Sequence, residues 1–353
     1  MAAPPDAEPA ALPADAGLHR VELSAANEMG TVNAWIVDDD PLTLIDAGTN
    51  VLGSLGTLEQ ALAAIGRRVE DVGLVVLTHH HTDHLGLVAT VARRSGAEVA
   101  ALAPIGPYLQ DLSAETALDR AYFAATLRRH GADDERVAAT LDVWERFHRV
   151  ADAAAVTMPL EPGSRIELRD RTLEVLHRPG HSETDVLLVD AERRLAIGGD
   201  HLLRAAPSVP VRDRPLPAGD GAGRPASGPT RAETLAHDLG SLVRYRASLR
   251  ATAELDIDLV LPGHRRAFGD PATVVAAHLA RQEREAESLL RRVPDAPATA
   301  VELLAAIWPE APPGFTHVLL SGVLGTLGLL HAEGRVTVAD DGAAGDPVRF
   351  AAT

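Results

Sequence analysis

Thr78-His79-His80-His81-Thr82-Asp83-His84-Leu85-Gly86 is the stretch whose reading decides the fold. Within it, His79-x-His81-x-Asp83-His84 places three imidazoles and a carboxylate in six positions, a donor set that zinc takes readily. Alternate side chains of an extended chain point the same way, so His79 and His81 can share one metal. As the chain turns into a helix, Asp83 and His84 can face a second. The flanks fit that turn. Val72 to Leu77 reads as a buried strand, and Val88, Val91 and Ala92 set a helical pattern that ends at Gly96, so the histidines occupy a strand-to-helix loop.

Two metals need more ligands than this box holds. Pro179-Gly180-His181-Ser182, Gly198-Gly199-Asp200 and Pro262-Gly263-His264 supply them, each just after an expected strand. Those strands are expected near Arg165 to Leu168, Thr172 to Leu176, Asp185 to Val189, Arg194 to Ile197 and Asp258 to Leu261. Glycine beside each candidate lets the backbone turn sharply and approach the site closely. His80 and His201 adjoin ligands without matching them, and His177 and His331 read as structural.

Upstream, Val32 to Ile45 reads as a hairpin broken at Asp38-Asp39-Asp40-Pro41, whose second strand runs into Asp46-Ala47-Gly48. Leu55, Leu58, Leu62 and Ile65 follow helical spacing until Gly66. Residues 103–155 read as a helical insertion that could form a lid, since Val137, Leu141, Trp144 and His148 keep helical spacing. Ala205 to Thr230 is a Pro- and Gly-rich loop, followed by a helix to about Arg250. Beyond Asp270 the pattern changes: a helix through Val275, Leu279 and Leu289, another opened by the capping box Thr299 to Glu302, and a third from Phe315 to His331. A short alternating segment, Arg335 to Val338, completes a helix, helix, helix and β-wing succession.

Composition narrows the chemistry. The 353 residues are 46% apolar and 24% charged, the balance of a globular protein of more than one domain, with no run long enough to span a bilayer. Absence of cysteine excludes thiolate ligands and a cysteine nucleophile; absence of lysine excludes Schiff-base chemistry. A net charge of −17 disfavours non-specific nucleic-acid binding. Residues 1–17 are expected to form a disordered Ala- and Pro-rich leader without the apolar stretch of a secretory signal, which points to a cytoplasmic product.

With the box, the later Gly-His, Gly-Asp and Gly-His in that order, the chain resembles the metallo-β-lactamase superfamily. The resemblance covers residues 18–269 and implies an α+β fold, a four-layer αββα sandwich with the metals at one edge between two sheets. Residues 270–353 resemble the winged-helix-like domain of the human-β-lactamase-like-2 branch. The same resemblance implies two Zn2+ per chain: His79, His81 and His181 on one, Asp83, His84 and His264 on the other, Asp200 bridging, and Asp46 behind the ligands.

Two such ions can share a water, lower its pKa and present hydroxide to an electrophilic carbon or phosphorus, with Asp83 and Asp200 as the catalytic carboxylates. A serine triad through Ser182 lacks the Gly-x-Ser-x-Gly elbow. The expected substrate is a small ester, a thioester or lactone, as in glyoxalase II-like relatives. Metal-dependent phosphodiesterase or endoribonuclease activity and iron-dependent persulfide dioxygenation are the alternatives. The insertion holds Tyr108, Tyr122, Phe123, Trp144 and Phe147 of the chain's 3 Trp, 3 Tyr and 5 Phe, suggesting an apolar wall; Tyr108, Tyr122, Phe123 and Arg204 are the candidate substrate contacts. A small molecule is the expected partner, rather than nucleic acid or a membrane, with a homo-oligomer left open.

Overall fold

Strand alternation and crossover length sort the chain into layers. In the computed structural model, which describes residues 12, 16–25, 30–204, 208–216, 229–294, 296–312, 315–343 and 345–353, β1 (Leu18–Ser24), β2 (Thr31–Val37) and β3 (Leu42–Ile45) form an antiparallel meander. The expected leader lies outside the described residues except for Leu12, Ala16 and Gly17. So do most of the 205–230 loop and the side chains of Phe147 and His148.

β4 (Val72–Val76), β5 (Glu98–Leu102) and β6 (Met158–Leu160) extend that sheet in parallel, in the order β1-β2-β3-β4-β5-β6. Parallel neighbours need crossovers, and helices supply them. α1 (Ser54–Ala64) precedes β4, and α2 (Thr82–Leu85) and α3 (Val88–Ser95) precede β5. α4 (Ile105–Gln110), α5 (Leu112–Arg129) and α6 (Asp134–His148) precede β6, so the helical insertion is one enlarged crossover.

The second sheet begins with antiparallel β7 (Arg165–Glu167), β8 (Thr172–His177), β9 (Val186–Asp190) and β10 (Leu195–Gly199). After α7 (Arg231–Ala253), β11 (Leu259–Pro262) lies parallel to β10, and β12 (Phe268–Gly269) closes the order β12-β11-β10-β9-β8-β7. Its two faces enter different cores. Val175, Val186, Leu188, Ile197 and Leu261 pack with the first sheet, while Leu187, Val189, Ala196 and Val260 pack with helices. Period-two burial on both sides explains why these strands read as near-continuous apolar runs.

The layer behind the second sheet is built by α7, α8 (Pro271–Leu290) and α10 (Thr316–Ala332), joined by α9 (Ala300–Ile307). Thr299 caps α9 through the expected box, its hydroxyl accepting from Glu302 N and Glu302 from Thr299 N. A small sheet of β13 (Ala298–Thr299), β14 (Val336–Asp340) and β15 (Arg349–Ala352) stands beside them in the order β13-β15-β14. Packing runs straight across residue 270. Phe123 and Leu127 of α5, Leu242 and Tyr245 of α7, and Leu320, Leu324 and Phe350 belong to one buried cluster. α10 crosses α7 so closely that a Cβ on Gly328 would overlap the Leu239 backbone.

A buried ionic cluster locks this layer to the insertion. Asp238 of α7 meets Arg129 Nε at 2.8 Å, His130 Nε2 at 2.9 Å and Arg212 Nη2 at 2.9 Å. Burial alone would raise the Asp238 pKa, but the His130 hydrogen bond and the Arg212 charge outweigh it and hold the carboxyl well below its usual range. A depressed carboxylate lends stability that is complete above its unfolded-state pKa of about 4 and is lost as pH falls below it. Asp238→Ala strands two guanidinium groups, so its unfolding free energy at pH 7 is expected to drop by about 3–5 kcal/mol. Denaturant titrations at pH 7 and pH 3 check this, the deficit narrowing in acid.

Candidate metal centre

The ligand candidates all sit beyond the C-terminal ends of parallel strands or in the turn between β8 and β9. Asp46 follows β3, His79 to His84 follow β4, Asp200 follows β10 and His264 follows β11. Parallel register within each sheet brings the paired ends level, and the sandwich brings the two sets face to face.

Each histidine has one ring nitrogen pinned by an acceptor, which assigns its tautomer and leaves the other nitrogen free. His264 Nδ1 donates to the Thr31 carbonyl at 2.7 Å, His181 Nδ1 to the Val209 carbonyl at 2.9 Å, and His84 Nδ1 to Asp46 Oδ2 at 2.8 Å. The Thr78 hydroxyl donates to Asp46 Oδ2 at 2.7 Å and so accepts from His79 Nδ1 at 3.0 Å. His81 is the exception in orientation: its Nε2 faces Asp213 at 3.1 and 3.3 Å, and its Nδ1 is the inward atom.

The free atoms converge. His81 Nδ1 lies 3.0 Å from His181 Nε2, close to the separation of about 3.3 Å expected of two imidazole nitrogens on one tetrahedral zinc. His79, His81 and His181 form one cluster able to hold a metal, and Asp83, His84 and His264 another. Asp200 touches both: Oδ1 is 3.5 Å from His84 Nε2, while Oδ2 is 3.6 Å from His181 Nε2 and 3.2 Å from His264 Nε2. Buried His79 Nε2, His84 Nε2, His264 Nε2 and Asp200 Oδ1 have no hydrogen-bond partner, the signature of atoms reserved for a cation. The donor set therefore fits divalent metal. A Cβ on Gly263 would overlap Asp200 Oδ1 and the His84 ring, so only glycine lets the β11 end approach this closely.

Charge agrees with geometry. Burial disfavours a charged His264, yet Asp200 and Asp83 outweigh it and push its pKa up to about 10. His81 is pushed up to about 9 against the same burial, with Asp213 the main cause. Burial and the neighbouring His84 and His81 hold His79 well below its ordinary value. Burial would raise Asp83, but His84 and His264 bring it down to about 2. The field at the centre is strongly negative, as a site for dications requires.

All seven ligand candidates from the sequence come together, and Asp46 accepts from Thr78 N at 2.8 Å as well as holding His84. Tyr108 and Phe123 line a pocket with His80, His81, Asp119, Asp213 and Arg214. Tyr122 instead takes a hydrogen bond from Arg212 at 3.0 Å, and Arg204 is an exposed side chain. His80 Nδ1 pairs with Thr184 Oγ1 at 2.7 Å, and His201 Nε2 with Thr252 Oγ1 at 2.9 Å. Sequence reasoning missed Asp213 and Thr78. It also missed Asp185, which accepts from Ser182 N and Oγ at 2.9 Å and shapes the turn carrying His181. Thr78 adjoins the box; Asp213 had only its two flanking arginines to mark it.

Two facing sheets with histidines and carboxylates gathered along one edge define a metal-binding αββα sandwich, and likeness to known proteins gives it its family. The metallo-β-lactamase superfamily profile matches residues 28–264, and the chain belongs to that superfamily as a metal-dependent hydrolase. It is 30% identical over 316 residues to the probable metallo-hydrolase YqjP of Bacillus subtilis, covering 88% of this chain and 90% of that one. It is 30% identical over 202 residues to the acyl-coenzyme A thioesterase MBLAC2 of Gallus gallus, covering 53% and 64% respectively. The crystal structure of the metallo-β-lactamase family protein TTHA1429 from Thermus thermophilus shares its fold, with a TM-score of 0.74 and 22% identity over 96% of this chain and 99% of that one. Among the described residues no helix is long and apolar enough to cross a membrane.

Because Asp46 holds the Nδ1 proton of His84, Asp46→Ala is expected to weaken divalent metal binding by about 10–100-fold without unfolding the chain. Chelator competition and circular dichroism of the same sample check the two halves of that expectation.

Proposed function

We propose that the chain is a zinc hydrolase with a two-metal centre that cleaves a small ester-like substrate, a thioester in the first place. His79, His81 and His181 would hold one ion, Asp83, His84 and His264 the other, with Asp200 between them. The observation that carries this reading is the position of Asp200, whose two oxygens reach histidines of both clusters. Bound divalent ions acidify water and polarise a substrate oxygen. The chain's own groups do the rest. Asp83, with 22% of its side chain exposed, is the carboxylate of the second cluster that water can reach, and it orients the attacking water. Asp46 fixes the His84 ring and Thr78 the His79 ring, which holds these donors in place before substrate arrives.

Similarity to acyl-coenzyme A thioesterases favours an acyl substrate. The test is metal-loaded protein screened against acyl thioesters, lactones, phosphodiesters and short RNA, with a chelator control. His81→Ala and Asp200→Ala are each expected to cut thioester turnover by at least about 1,000-fold, since metal charge stabilisation is worth several kcal/mol and each ~1.4 kcal/mol is tenfold. Two zincs per chain and chelator-sensitive thioesterase activity support the reading. Iron with oxygen uptake on a persulfide, or turnover indifferent to chelator, overturns it.

A further inference from the structure

We infer that Asp213 is a positioning residue of the metal centre, fixing which nitrogen of His81 is presented to the metal, and that residues 208–216 complete the cradle of the His79, His81 and His181 cluster. The inference rests on the two-metal reading and adds to it a residue outside the ligand set.

His81 needs such a partner. Its side chain is 19% exposed, whereas the His84 side chain is fully enclosed, so packing alone leaves its ring freer to change tautomer or turn over. Asp213 faces His81 Nε2 with both oxygens, at 3.1 and 3.3 Å. A carboxylate only accepts, so the proton sits on Nε2 and the Nδ1 lone pair is turned towards His181 Nε2. His80 Nε2 stands 3.8 Å from the same carboxylate, beyond hydrogen-bond reach.

The same short segment also holds the second member of the cluster. The Val209 carbonyl accepts from His181 Nδ1 at 2.9 Å, and Val211 N donates to the His181 carbonyl at 2.8 Å. Asp213 is itself fixed from both sides. Arg212 donates to the His237 carbonyl at 2.6 Å and to Tyr122 at 3.0 Å and pairs with Asp238, while its own N donates to Ser321 Oγ at 3.1 Å. Arg214 donates to Asp119 at 2.6 Å and pairs with Glu115, both on α5. His237 Nε2 donates to the Asp213 carbonyl at 3.1 Å. Each metal cluster thus has one histidine held by a carboxylate. Asp46 comes from the first sheet, and Asp213 comes from a segment anchored to the insertion, α7 and α10.

The experiment is zinc competition against a chromophoric chelator, with cobalt substitution as a second readout. Wild-type protein is expected to take up two ions per chain. Asp213→Ala is expected to weaken one of them by about 10–100-fold, to alter the cobalt spectrum of one site and to leave the other site within about twofold. Asp213→Asn, which keeps an acceptor, is expected to recover most of that affinity. If Asp213→Ala retains both ions at wild-type affinity, the inference fails while the two-metal reading stands; if wild type binds none, both fail. Should Asp213→Ala not fold, the wild type alone decides: long-range 1H–15N spectra of the zinc-loaded protein must show His81 protonated at Nε2 and bound through Nδ1, and the opposite assignment overturns the inference.

Discussion

Buried lone pairs without donors are costly, and this structure gathers several at one place. His79 Nε2, His84 Nε2, His264 Nε2 and Asp200 Oδ1 are gathered there without a hydrogen-bond partner, while the other nitrogen of each ring is committed elsewhere. One divalent cation in each cluster would answer them together. The strand ends, the glycine at 263 and the buried carboxylate at 46 make sense as parts that hold these atoms against their mutual repulsion.

The two sheets meet this demand jointly. β2 stitches the β11 end in place: Asn33 Nδ2 donates to the Pro262 and Arg265 carbonyls at 2.9 and 2.7 Å, and Trp35 Nε1 to Pro262 at 3.1 Å. The Thr31 carbonyl of the same strand accepts a hydrogen bond from His264 Nδ1. A ligand contributed by the second sheet is therefore aimed by the backbone of the first. That arrangement makes the spacing of the two clusters a property of the sandwich and not of any single loop.

Much of this was legible in the residues. Histidine spacing at 79–84, the glycine-flanked ligands and the strands that lead to them appear where the sequence places them, because short motifs at strand ends are local and chemically specific. β1 and β5 were not read. β1 alternates, but as an edge strand it tolerates His19, Arg20 and Glu22, which blur its apolar face. β5 is Glu-Val-Ala-Ala-Leu, whose alanines carry little strand preference, and only burial between β4 and β6 makes it one. Asp213 was invisible for a different reason. It lies in an irregular stretch, and what a loop side chain touches depends on the tertiary path and on no period in the chain. Of the four aromatic and arginine contacts expected for substrate, Tyr108 and Phe123 reach the pocket beside His81, Tyr122 is occupied by Arg212, and Arg204 is exposed.

Continuity of the apolar cluster across residue 270, with Ser321 of α10 accepting from Arg212 N, gives the last eighty or so residues a structural stake in the reactive end of the molecule. Their buried side chains share one cluster with those of α5 and α7. α10 lies so close to α7 that a Cβ on Gly328 would overlap the Leu239 backbone, and from that position its Ser321 holds the backbone beside Asp213. A change at Ser321 therefore reaches the segment that carries Asp213 and the Val209 acceptor of His181.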